Sequence, residues 1–224
     1  MNKSNRWLWW LCYLGPKVFI IVPIGVALGL LLLLPARRTE KFSFAQFLPG
    51  KRRLGLALAA LILTPLICGN LKKISNTYCP YDIVRYGGHA PYVRVFEPYP
   101  EEFARYQQAS GERGHGFPAG HASGGFALMS LCLLSNRRRT QCLLIAGASL
   151  LGWWMGGYQM VRGAHYLSHT LVTWAIAALV ISSLRAFFPG KISSAPPCAA
   201  AKGRCLEREN LESRPGCQGG KSGF

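Results

Sequence analysis

The 224 residues contain no glycine-rich P-loop, no dinucleotide fingerprint and no internal repeat, and they hold one aspartate, Asp82, among only nine acidic residues. The first two absences remove nucleotide chemistry built on those phosphate cradles. The third removes solenoid and propeller architectures. A disulfide framework is also missing despite eight cysteines. Cys68, Cys132 and Cys142 sit in or beside apolar runs, Cys198, Cys205 and Cys217 fall in the C-terminal tail, and Cys79 is the lone cysteine of the large loop between apolar runs. No structural disulfide is expected from that placement.

What is abundant is apolar length and positive charge. Half of the residues are hydrophobic and the formal charge is +17. In a soluble chain such a charge suggests nucleic acid. Here the apolar residues gather into runs of membrane-spanning length and the charges fall between them, so the excess reads as cytoplasmic retention and no nucleic-acid partner is expected. Arg37, Arg38, Lys41, Lys51, Arg52 and Arg53 crowd one connection, Arg137, Arg138 and Arg139 another, and Lys191, Lys202, Arg204, Arg208, Arg214 and Lys221 the tail.

These runs predict an all-α, polytopic transmembrane bundle of five spans. The first begins with the interfacial aromatics Trp7, Trp9, Trp10 and Tyr13 ahead of Lys17 and continues from Val18 to Leu34. It has no small-residue cleavage site and reads as a retained span. The second covers Leu54 to Leu71, enough for roughly 27 Å of hydrocarbon, with a tolerated Pro65. The others cover about 122 to 134, 142 to 160 and 167 to 188. Residues 1 to 53 then form an N-terminal span with a basic loop, 54 to 188 a catalytic core, and 189 to 224 a tail too polar to fold. The basic connections are expected in the cytoplasm. Residues 72 to 120 and 161 to 166 then lie together on the other, periplasmic face of a bacterial inner membrane. An outside N-terminus follows, as if one earlier span were missing.

The polar residues that need an explanation all fall on that outer side. They are Lys72 and Lys73, the segment from Gly114 to Ser123, and Arg162 to His169. Ionisable groups at membrane depth are costly and are by default functional. In Gly116-Phe117-Pro118-Ala119-Gly120-His121-Ala122-Ser123, proline suits a first helical turn and small residues let backbone amides meet an anion, with His121 above it. A glycine-rich helix start with an interfacial histidine fits that segment equally well. Arg162, His165 and His169 are spaced to share one helical face. Arginine beside histidine suits phosphate better than a metal cation, although His-x-x-x-His by itself can ligate zinc.

Together these segments resemble the type 2 phosphatidic acid phosphatase superfamily, whose signatures are Lys-x6-Arg-Pro, Pro-Ser-Gly-His and Ser-Arg-x5-His-x3-Asp. The chain offers Lys72-x6-Cys79-Pro80, then Pro118-Ala119-Gly120-His121, then His165 followed by His169. The resemblance implies a helical membrane phosphatase with His165 as nucleophile, His121 as general acid and Lys72 as phosphate ligand, with no metal and no cofactor. It also implies a phospholipid, polyprenyl or lipid A phosphate as substrate. Three positions depart from the pattern: Cys79 stands for a phosphate-binding Arg, Gln159 for the third-motif Arg, and His169 for the Asp that orients the nucleophile. Arg162 and Arg113 are candidate replacements for the lost cations, and Asp82 for the lost carboxylate, beside a turn-forming role. Ala119 and Gly120 complete the expected phosphate-binding set.

Other readings use the same residues. Phosphate passed from one lipid to another needs the same site. An intramembrane serine protease would use Ser123 with His165 or His169, and leaves Lys72 and Arg162 unexplained. A non-catalytic protein would hold anionic head groups with the same cations.

Overall fold

The first run forms a helix, α1, Trp7–Leu33. It contains two wider, π-helical stretches, Trp10–Leu14 and Lys17–Ile21. In this computed structural model, residues 6–33 and 50–187 are described. The basic connection after α1, apart from Lys51 to Arg53, and the tail lie outside the described residues. All described residues belong to one unit, Met1–Pro189.

Helix α2, Lys51–Ser75, carries Pro65 inside it and Lys72 and Lys73 in its last turn. It ends where Asn76 takes a left-handed conformation, which asparagine tolerates better than most residues. A long loop follows, residues 76–119, with a ten-residue helix, α3, Glu101–Ser110. Phe103 and Tyr99 from this region pack against a small core of Tyr78, Ile83 and Ala90. The Tyr99 hydroxyl donates to the Asn76 carbonyl at 2.9 Å, tying the loop to the end of α2. Next come α4, Gly120–Leu134, α-helical to Ala127 and 3-10 beyond, α5, Arg138–Val161, and α6, Leu167–Phe187. Among the described residues there is no strand, only an isolated bridge between Ile83 and Ala90.

The fold is therefore all-helical, with helices at all five expected positions. Three of them, α1, α2 and α6, are long and apolar enough to cross a membrane. Helix α4 is shorter. Helix α5 has the length, at 24 residues, but Arg138, Arg139, Gln141, Gln159 and several glycines dilute its hydropathy. The shared core of Leu54, Ala57, Ala60, Ala122, Phe126 and Ala177 joins α2, α4 and α6. Leu66, Leu143, Leu150, Leu171 and Leu179 point outward, the arrangement expected where the solvent is hydrocarbon.

Candidate active site

The end of α2, the start of α4, the α5 to α6 connection and the beginning of α1 meet at one end of the bundle. Backbone contacts hold the junction: the Tyr81 N–H donates to the Gly163 carbonyl at 3.0 Å, and the Ala119 N–H to the His169 carbonyl at 3.3 Å.

Arg162, His165 and His169 do not share one helical face, contrary to the spacing argument. Helix α5 ends at Val161, and Gly163 adopts φ +75°, a conformation that glycine takes without steric cost. His165 thus stands in the connection and His169 in the first turn of α6. The two rings converge by tertiary folding. Their centroids are 6.0 Å apart, and His121 reaches His165 at 5.5 Å.

Both rings are held by one atom. His165 Nδ1 lies 2.7 Å, and His169 Nδ1 2.9 Å, from the carbonyl oxygen of Gly116. A carbonyl only accepts, and its two lone pairs take two donors. Each Nδ1 must therefore carry the proton, which leaves Nε2 of a neutral ring unprotonated. His165 Nε2 is buried without a hydrogen-bond partner. Burial first, then the charges of Lys72 and His121, push His165 down to about 3. At neutral pH it is a buried base with an unused lone pair.

The Gly116 carbonyl is itself fixed. Its N–H donates to the Thr77 carbonyl. The neighbouring Gly114 N–H donates to Asn76 Oδ1 at 2.8 Å, and Ser75 Oγ donates to the Phe117 carbonyl at 2.7 Å. A Cβ on Gly116 would stand 2.7 Å from the Tyr78 carbonyl oxygen, so only glycine fits this approach. The following Phe117–Pro118 peptide is cis.

Lys72 lies across the start of α4. A Cβ on Gly120 would meet its Cε at 3.0 Å and its Nζ at 3.4 Å. Its charge acts on both His165 and His121. The Ala119 and Gly120 amides are already engaged, the latter with the Pro118 carbonyl at 2.9 Å. The absence of a Cβ, more than a free amide, is therefore what Gly120 contributes.

The remaining expected residues are more peripheral. Arg162 is exposed, its guanidinium 5.6 Å from the Tyr158 ring centroid, with its charge acting on Tyr81 and His121. Arg113 is exposed in the loop. Asp82 ends the 3-10 turn Pro80–Asp82, and its charge acts on Cys79 and Tyr81. The acceptor that orients His165 is a backbone carbonyl rather than Asp82 or His169. Cys79 and Gln159 are buried and supply no cation. Ser123 Oγ donates to the Gly120 carbonyl at 2.8 Å, within its own helix and not to either histidine, which weakens the protease reading.

Sequence reasoning overlooked α1. Tyr13 stacks edge-on against His121 at 4.9 Å, and Lys17 Nζ donates to the Tyr13 hydroxyl at 2.9 Å. A lysine inside an otherwise apolar run was the available signal.

Two cavities border the histidines. One of about 320 Å³ is lined by His165, Tyr81, Tyr86 and Tyr166. A larger one of about 810 Å³ lies on the side of the loop between α2 and α4, between Arg85, Tyr92, Arg94 and His169. Neither is walled by Lys72 or His121, so the larger one marks an approach to the histidines rather than their centre.

The order and spacing of Lys72, His121 and His165, now seen around one unpartnered nitrogen, coincide with the range of a family match. A model of the PAP2 superfamily matches residues 53–192. The chain belongs to the PAP2 superfamily. Its members are generally phosphatases, so membership supports a phosphatase-type, hydrolytic function for this membrane protein. Comparison with curated proteins and with solved structures gives no match. The PAP2 region starts at the head of α2 and ends past α6, so α1, with Tyr13 and Lys17, stands outside it. Among the described residues no group of three or more His, Cys, Asp or Glu is placed to hold a metal ion.

Proposed function

We propose that this PAP2 protein hydrolyses a lipid phosphate or diphosphate at the periplasmic face of a bacterial inner membrane, through a phosphohistidine on His165. The observation that carries the reading is the unpartnered, buried Nε2 of His165, whose Nδ1 is held by Gly116. That nitrogen attacks phosphorus, an N–P bond forms, and the P–O bond to the leaving group breaks. His121, beside His165, gives its proton to the departing oxygen. Water then attacks the phosphohistidine, the N–P bond breaks, and His121 takes the proton back. Lys72 balances charge on the phosphoryl oxygens. These are protein groups alone, so activity is expected to survive chelators. Loss in EDTA with recovery on added zinc would speak for a metal site at His165 and His169.

The test is phosphate release by detergent-purified protein from a panel of phospholipid, polyprenyl and lipid A phosphates. Release that disappears in His165→Ala supports hydrolysis through this residue. Transfer of phosphate to a second lipid without free phosphate would reassign the site to a phosphotransferase. No turnover on any lipid, with head-group binding retained, would make it a non-catalytic anion binder.

A further inference from the structure

We propose that Lys17, carried with Tyr13 on α1, is a ligand for the leaving phosphate of a lipid diphosphate, which makes diphosphates rather than monophosphates the preferred substrate class. This rests on the phosphatase reading above.

Lys17 is half-buried in an apolar helix. Its contacts are with Tyr13: a 2.9 Å hydrogen bond to the hydroxyl and a 4.2 Å approach to the ring centroid. Neither is a counter-charge. Lys72, also half-buried, is near enough for the two like charges to act on one another. Among the described residues no carboxylate acts on Lys72 beside Lys17; two converging cations repel, and the repulsion is relieved when an anion of charge two or more enters. The wider π-helical turns at Trp10–Leu14 and Lys17–Ile21 are a feature that recurs at functional sites. They coincide with the two side chains that reach the site.

The positions of the two lysines divide the work. The Lys72 charge acts on His165 and His121, which places it over the transferring phosphoryl. Lys17 approaches through Tyr13, on the edge of His121, the residue that protonates the leaving oxygen. If the leaving group is a lipid alcohol, no charge remains there for Lys17 to bind. When it is a lipid monophosphate, His165 Nε2 takes the terminal phosphoryl, the electrons of the broken P–O bond pass to the bridging oxygen, and His121 gives that oxygen its proton. The departing phosphate keeps negative charge beside Lys17.

The experiment compares kcat and KM on a prenyl diphosphate and on the matching prenyl monophosphate, for wild type, Lys17→Met and Lys17→Arg. Methionine suits an apolar span, and arginine keeps the charge. The expected result is a fall in kcat/KM on the diphosphate of about 100-fold for Lys17→Met, by analogy with loss of other preorganised donors. The loss on the monophosphate should be at least tenfold smaller, and arginine should recover most of the difference. Equal losses on both substrates, or none on the diphosphate, would overturn the proposal while leaving hydrolysis intact. A binding arm separates the two ideas: inorganic pyrophosphate and inorganic phosphate are titrated by thermal shift in the His165→Ala background. If wild type releases no phosphate at all, the phosphatase reading fails. Weaker pyrophosphate binding in the Lys17→Met, His165→Ala protein would then still support Lys17 as a diphosphate ligand, and unchanged binding would reject it.

Discussion

Nδ1 of His165 points at the carbonyl oxygen of Gly116 from 2.7 Å, and this contact sets which ring nitrogen is left without a proton. A backbone carbonyl orients and selects the tautomer as a carboxylate does, but carries no full charge to stabilise the cationic ring that the proposed phosphorylation would form. The same oxygen holds His169 at 2.9 Å. Gly116→Ala should therefore disturb both histidines, since a Cβ would press on the Tyr78 carbonyl. The expected effect is a drop in kcat of about 10- to 100-fold with a much smaller change in KM. His169→Ala should leave a measurable remnant, because Gly116 still holds His165, whereas His165→Ala should leave none. A phosphoenzyme trapped on His169 would overturn the assignment.

Acid should destabilise the protein through His165. Its folded value, pushed down to about 3 by burial, lies below the ordinary 6.5. As pH falls through 6.5 the unfolded chain takes up a proton that the folded protein refuses, so stability declines from there toward pH 3. Above 6.5 the group adds nothing. Thermal unfolding at pH 7.5 and pH 5 should show a smaller acid-induced drop in Tm for His165→Asn than for wild type. An equal drop in both would place the sensitivity elsewhere.

Among the cations near the histidines, burial sorts the expected losses. Lys72 lies against Gly120 and acts on His121 and His165, so Lys72→Met should cost on the order of a hundredfold in kcat/KM. Lys73 and Arg113 are exposed, and neutralising either should cost less than about tenfold, since water screens an exposed charge. Arg162, exposed but acting on His121, should fall between. A Lys73→Met defect larger than that of Lys72→Met would mean the motif register is wrong.

Orientation is open to cysteine labelling in a background freed of native cysteines. Glu101→Cys, in the outer loop, should react with an impermeant reagent from the periplasm, and Arg139→Cys from the cytoplasm, because the basic connections resist translocation. Labelling of position 101 only from the cytoplasm would reverse the face on which the chemistry is proposed.

Helix positions, and the residues that the fold gathers at one end of the bundle, were legible in the sequence because they depend on local properties. Apolar length predicts where α1, α2, α4, α5 and α6 run, and the spacing of Lys72, His121, His165 and His169 is conserved along the chain whatever its path. The α3 helix was not legible, since its short, polar run resembles loop. Nor was the break at Gly163, which separates His165 from α5 although the three-and-four spacing suggested one helical face. Tertiary structure alone decided the orienting partner of His165. Every residue carries a carbonyl, so composition cannot point to Gly116; only the close approach of its backbone to Thr77 and Tyr78 aims that oxygen at both histidines. The same holds for Lys17. Its residue type announced a cost at membrane depth, but the packing of α1 beside His121 is a contact over about a hundred residues of chain, and no local pattern encodes it.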